Sequence, residues 1–280
     1  MDRNSTSSDL DEAYSPSSVA GNYREIIDAY GSTSRRTLQR SPAIRVRYGN
    51  HPDEYVLLFE PDGGPARALL VFFHGGYWQE LSAEDACFPA DTLLERGIGY
   101  AAVNYTLAPR ASVAQIAAQC AQAVAMLAVH RPAVRIVLAG SSAGAHLAAM
   151  LMTMDWSANG VQCLPFDGAV LLSGVYDLRP LVATYINAPL GLNLAAAAAP
   201  ASPMLCPLRA AVPAVVCWGE YETAAFKQQS RAYAHRLACA GKRVSHYEVA
   251  GRNHFDILFD LTMPHTRLGI DTLELLGEKP

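Results

Sequence analysis

The sequence predicts an α/β protein, a mainly parallel sheet flanked by helices with a small cap or lid inserted. Three observations predict it. From Ala68 onward, short apolar runs alternate with helical patterns, which implies parallel strands joined by crossover helices. Ala68 to Phe73 is continuously apolar, as a strand buried on both faces must be. Gly140-Ser141-Ser142-Ala143-Gly144 joins a strand pattern to an Ala/Leu/Met-rich helical one. In that G-x-S-x-G turn the chain bends so tightly that a side chain at either glycine would strike a neighbouring strand or helix.

Taken in order, residues 1–20 are rich in Ser, Asp and Asn with little apolar pattern, and read as a flexible N-terminal segment. Residues 21–280 read as a single domain. Tyr23 to Tyr30 is a short helix. Ile44 to Tyr48 and Tyr55 to Glu60 are strands separated by the turn-rich Gly49 to Asp53, an antiparallel start. After Ala68 to Phe73 come a helix over Ala83 to Arg96, a strand over Gly99 to Asn104 and an Ala-rich helix over Ser112 to His130. Then follow strand Arg135 to Ala139, helix Ala145 to Thr153 and strand Gly168 to Ser173. Ala214 to Gly219 and Val244 to Val249 are strands, with helices over Ala225 to Ala240 and Thr262 to Leu276. The exception is the proline-rich stretch after Asp177. Residues 178–213 read as a cap over the carboxyl ends of the strands, and the alanine run Ala195 to Ala199 within it is equally a filler.

Composition bounds the function. The net charge of −4 with no basic block argues against nucleic acid as a partner. The six cysteines are scattered without a C-x-x-C pair, which fits free thiols in a reducing compartment and neither a disulfide framework nor a zinc site. With no apolar signal core and no apolar run of spanning length, the expectation is a soluble, cytoplasmic protein with no membrane partner.

The chemistry gathers around Ser142. The strained turn lifts its hydroxyl above the sheet, where a base can activate it. His254, in the loop after the last strand, is the candidate base. Two acids compete to orient it: Glu222, past strand Ala214 to Gly219, and Asp177, past strand Gly168 to Ser173. Both lie at strand carboxyl ends, where catalytic side chains collect. His74-Gly75-Gly76-Tyr77-Trp78 follows a strand directly. Its consecutive glycines let backbone N–H groups of Gly75 and Gly76 approach a tetrahedral oxygen, together with the N–H of Ala143. Tyr77 and Trp78 are placed to line the pocket mouth, and His146 to hydrogen-bond within the core.

At this point the sequence resembles the α/β-hydrolase fold of the hormone-sensitive-lipase-like branch, and within it the kynurenine formamidases. The resembling pieces are His74 to Gln79, Asn104 to Pro109, Gly140 to Leu147, Ser173 to Pro180, Gly219 to Glu222 with Phe226, Gln229 and Ser230, and Asn253 to Asp256. The resemblance implies a Ser142–Glu222–His254 triad, an oxyanion site at Gly75, Gly76 and Ala143, no metal and no cofactor. It places Asp177 outside the triad. It implies a small aromatic formamide or ester as substrate and leaves a homodimer open. Carboxylesterases share every catalytic residue, and a non-catalytic binding protein of the same fold is the third reading. Leu57 and Arg110 stand where many relatives carry an acid.

Overall fold

The computed structural model describes residues 7–157, 161, 163–192 and 195–278. Eight strands form one sheet: β1 (Ile44–Arg47), β2 (Tyr55–Phe59), β3 (Ala68–Phe73), β4 (Gly99–Val103), β5 (Arg135–Ser141), β6 (Gly168–Leu172), β7 (Ala214–Tyr221) and β8 (Val244–Asn253). Their order is β1-β2-β4-β3-β5-β6-β7-β8. β1 and β2 pair antiparallel, as does β2 with β4, and every other pairing is parallel. β3 and β5 are neighbours near the middle, so the loops that leave their carboxyl ends converge.

The helices are α1 (Ser7–Ala13), α2 (Tyr23–Arg40), α3 (Ala90–Leu94), α4 (Val113–His130), α5 (Ala143–Leu151), α6 (Asn187–Leu190), α7 (Ala195–Ala198), α8 (Ala224–Cys239) and α9 (Arg267–Leu275). Two apolar layers cover the sheet. Along β3, Leu69, Val71 and Phe73 enter the layer that holds α4, α5 and α8. Ala68, Leu70 and Phe72 enter the layer that holds α2 and α9. The period-2 alternation therefore serves two cores at once, and each buried large side chain contributes about 1.5–3 kcal/mol. α4 has the length and apolarity of a membrane span. Its apolarity is spent on packing: Ile116, Ala117, Cys120, Val124 and Leu127 are buried in the first layer. Ser112 and Gln115 cap it reciprocally.

Prolines moved several helix boundaries. The helix expected over Ala83 to Arg96 is a 3₁₀ turn over Ala83–Ala86 followed by α3, which starts after Pro89. The closing helix begins only at Arg267, past Pro264, where the Thr266 hydroxyl accepts from the Gly269 N–H at 3.0 Å. α2 extends well beyond Tyr30, to Arg40.

The first six residues of the segment expected to be flexible lie outside the described residues, as do 193–194 of the expected cap. Residues 7–20 differ from the expectation. α1 lies against the stretch that follows β6, with the Tyr185 N–H donating to Asp11 at 2.7 Å and the Thr223 hydroxyl to the Ala13 carbonyl at 2.6 Å. The physical cause is apolar packing: Tyr14 is buried against Phe226, and Leu10 and Ala13 pack on the same core layer. Beyond β6 the chain makes a 3₁₀ turn over Arg179–Ala183, then α6 and α7, and rejoins the sheet at β7.

Candidate active site

Ser142 occupies the turn between β5 and α5 at φ 56° and ψ −117°, in the left-handed half of backbone space. The flanking glycines are sterically obligatory. A Cβ on Gly144 would stand 1.9 Å from the Phe73 carbonyl oxygen, and one on Gly140 would stand 2.3 Å from the Gly144 carbonyl. The conformation of Ser142 is thus held by close packing of β3, β5 and α5, and it costs about 1–3 kcal/mol locally. His146 sits in the next turn, buried, with Nε2 2.7 Å from the Ala201 carbonyl and its ring edge-on to Trp78. Burial lowers it to about 4, so it is neutral.

His254 follows β8 directly. Its Nδ1 lies 3.0 Å from Glu222 Oε2, and the two side chains are 4% and 0% exposed. The other carboxylate oxygen of Glu222 accepts from the Ser173 hydroxyl at 2.6 Å and from the Gly219 N–H at 2.5 Å. Glu222 is thus fixed on both oxygens. Asp177, the competing acid, is elsewhere: it is paired with Arg179 at 2.6 Å and accepts from the Arg179 N–H at 3.0 Å.

Gly75 passes directly over the elbow. A Cβ on Gly75 would lie 3.0 Å from the Ser141 carbonyl and 3.4 Å from Ser142 Cβ. Among the described residues neither the Gly75 nor the Gly76 N–H is taken up by a backbone carbonyl. His74 anchors this loop: its ring stacks on Tyr105 at 4.1 Å, and the Tyr105 hydroxyl donates to the His74 carbonyl at 2.8 Å. Burial lowers His74 to about 4, which keeps it neutral beside the elbow.

Ser142 and His254 open onto one cavity of ≈ 260 Å³, walled in part by Tyr23, Tyr30, Tyr77 and Phe255. Tyr77, expected at the pocket mouth, is among the lining residues. Trp78 is a correction. It does not line the cavity, because it is fully buried with its ring against His146. Tyr77 at φ 50° and Trp78 at φ 61° are both left-handed, and this turn sends Trp78 into the core.

Several neighbours escaped sequence reasoning as site residues. Ser173, itself at φ 52°, orients Glu222. Phe226 places its ring edge-on to His254 at 4.5 Å. Tyr23, Ile27 and Tyr30 of α2 and Tyr185 and Ile186 of the excursion also line the cavity. The available signal was positional: Ser173 directly follows the strand next to β7, and Phe226 follows Glu222 by four residues, in the first turn of α8.

Comparison with known proteins identifies the family. The family model for the alpha/beta hydrolase fold matches residues 70–257. A kynurenine formamidase of Danio rerio is 31% identical over 96% of both chains. One of Salmo salar is 31% identical over 84% of this chain and 82% of its own. Among solved structures, one described as a thioesterase, from Silicibacter sp. TM1040, superposes with a TM-score of 0.83 at 26% identity, covering 93% of this chain and 97% of its own. An esterase of Pyrobaculum calidifontis superposes with a TM-score of 0.70 at 19% identity over 97% of each, a likeness of fold. The chain is a hydrolase, and it belongs to the α/β-hydrolase fold family and, within it, to the kynurenine formamidases.

Proposed function

We propose that this enzyme hydrolyses an N-formyl aryl amine of the N-formylkynurenine class, with Ser142 as nucleophile, His254 as base and acid, and Glu222 as the orienting carboxylate. The observation that carries the substrate class is the likeness to the Danio rerio kynurenine formamidase along nearly the whole of both chains. The aromatic wall of the cavity supports it, since the leaving group is then an aryl amine. A cavity of ≈ 260 Å³ suits a small molecule.

The proposed steps are these. Ser142 Oγ attacks the formyl carbon while its proton passes to His254 Nε2. Glu222, 3.0 Å from Nδ1, keeps the proton on that nitrogen and stabilises the imidazolium. The former carbonyl oxygen takes the negative charge and is received by the N–H groups of Gly75, Gly76 and Ala143; one such donor is worth about 2.7–4 kcal/mol. The tetrahedral intermediate collapses, the C–N bond breaks, and His254 gives its proton to the departing amine. Water, deprotonated by the same histidine, attacks the formyl-serine, releasing formate and restoring Ser142. All six cysteines are free, which supports a reducing, cytoplasmic setting.

The test is parallel kinetics on N-formylkynurenine and a short-chain aryl ester. A kcat/KM preference for the formamide is expected. A strong preference for the ester would make the protein a carboxylesterase with the same triad.

A further inference from the structure

We propose that the N-terminal segment is part of the catalytic apparatus: Tyr14 holds the oxyanion loop through Tyr77, which acts as a positioning residue. Gly76, Tyr77 and Trp78 run consecutively at φ 91°, 50° and 61°. Such a run persists only where its surroundings over-determine it. Two of its holds are local to the body of the fold. The Gly76 carbonyl accepts from the Gln79 and Glu80 N–H groups at 2.8 and 3.0 Å, and the Trp78 carbonyl from the Ala108 N–H at 2.8 Å. The third comes from the far end of the chain: the Tyr77 hydroxyl donates to the Tyr14 carbonyl.

Tyr14 is itself clamped. Its hydroxyl accepts from Gln229 Nε2 at 3.1 Å, and its ring packs on Phe226, whose own ring meets His254 at 4.5 Å. Gln229 also accepts from the Tyr176 and Asp177 N–H groups and donates to the Asp177 carbonyl, so its amide is fixed. One N-terminal residue therefore touches the supports of both the oxyanion loop and the base. The Tyr77 hydroxyl is engaged with Tyr14, so its work is to aim the N–H groups of Gly75 and Gly76, whose loop passes over Ser142. Donors a fraction of an ångström out of place stabilise the transition state less while leaving ground-state binding intact.

The inference rests on Ser142 as nucleophile, and the experiment keeps the two apart. Wild type, Ser142→Ala, Tyr77→Phe, Tyr14→Ala and the Tyr14→Ala/Tyr77→Phe double variant are assayed on N-formylkynurenine and on an aryl acetate, with phenylboronic acid as a mimic of the tetrahedral adduct. Tyr77→Phe should lower kcat about 10- to 100-fold with KM nearly unchanged. The factor should be equal on every substrate turned over, and phenylboronic acid should bind correspondingly more weakly. In the Tyr14→Ala background Tyr77→Phe should have no further effect. A wild-type kcat for Tyr77→Phe, a change in KM alone, or additive losses in the double variant would each overturn the inference. If Tyr14→Ala does not fold, kcat and boronate affinity of Tyr77→Phe decide alone. Turnover surviving in Ser142→Ala would overturn the nucleophile itself, whereas a dead Ser142→Ala beside an unimpaired Tyr77→Phe overturns only the strap.

Discussion

Replacing Glu222 by glutamine tests the proposed triad through a proton count. Glu222 Oε1 accepts two hydrogen bonds, from Ser173 and from the Gly219 N–H, and Oε2 faces His254 Nδ1. A glutamine amide has one oxygen and one NH2 group. The Gly219 N–H can only donate, and at 2.5 Å it excludes an NH2 group from the ε1 position. The amide oxygen must therefore stay there, which turns the NH2 group towards His254 Nδ1. That nitrogen has to become the acceptor, so the hydrogen of the imidazole moves to Nε2, the atom that should take the serine proton. The base is lost although the packing is kept. The expected fall in kcat is about 10⁴-fold, about 5 kcal/mol in the barrier. The melting temperature should shift by only a few degrees, because two of the three hydrogen bonds survive and the third is kept with its direction reversed. Asp177→Asn is the contrast. Its partner Arg179 is about half exposed, so losing the ion pair costs about 1 kcal/mol or less, and kcat should hold. Steady-state kinetics and thermal melts on both variants decide. A Glu222→Gln enzyme within tenfold of wild type would refute the tautomer argument, and a folded but inactive Asp177→Asn would show that the wrong carboxylate had been chosen.

Ser142→Ala should remove turnover by several orders of magnitude while leaving the melt near wild type, since alanine keeps the backbone of the elbow; retained activity would move the nucleophile. Gly144→Ala should abolish folding or lower the melting temperature severely, because its Cβ would meet the Phe73 carbonyl at 1.9 Å; a wild-type melt would contradict the packing described for the elbow. His74 and His146 are both held down to about 4 by burial, whereas in the unfolded chain they protonate near pH 6.5. The unfolded state therefore binds more protons across that window. Stability present above about pH 6.5 should be lost as pH falls towards 4, by up to roughly 3 kcal/mol for each histidine. Denaturant titrations at several pH values should show this slope, and His146→Gln should flatten it; an unchanged slope in that variant would rule out His146 as a contributor.

What was legible in the chain is what local sterics and two-sided burial decide. β3 came out at its observed bounds because a strand that feeds two cores has no polar position to spare. The elbow was legible because nothing larger than glycine fits at Gly140 or Gly144, so the constraint is written in the residues themselves. The two acids were separated in the sequence by their order before His254 and by the resemblance, both favouring Glu222; what the structure adds is the pairing of β6 with β7, which brings Ser173 to Glu222, together with the Arg179 side chain turned back on Asp177. Trp78 was misread. In an extended loop its ring would have followed Tyr77 to the pocket, but consecutive left-handed residues reverse that direction, and no local residue preference marks a tyrosine or tryptophan for such a conformation. The N-terminal segment is the extreme case. Its composition is that of a loose chain, and Tyr14, packing with Leu10 and Ala13, decides where it docks through partners on α8 and in the oxyanion loop. The least legible contacts are thus those between parts of the chain distant in sequence, and at Tyr14 they reach the loop that we propose receives the transition-state oxygen.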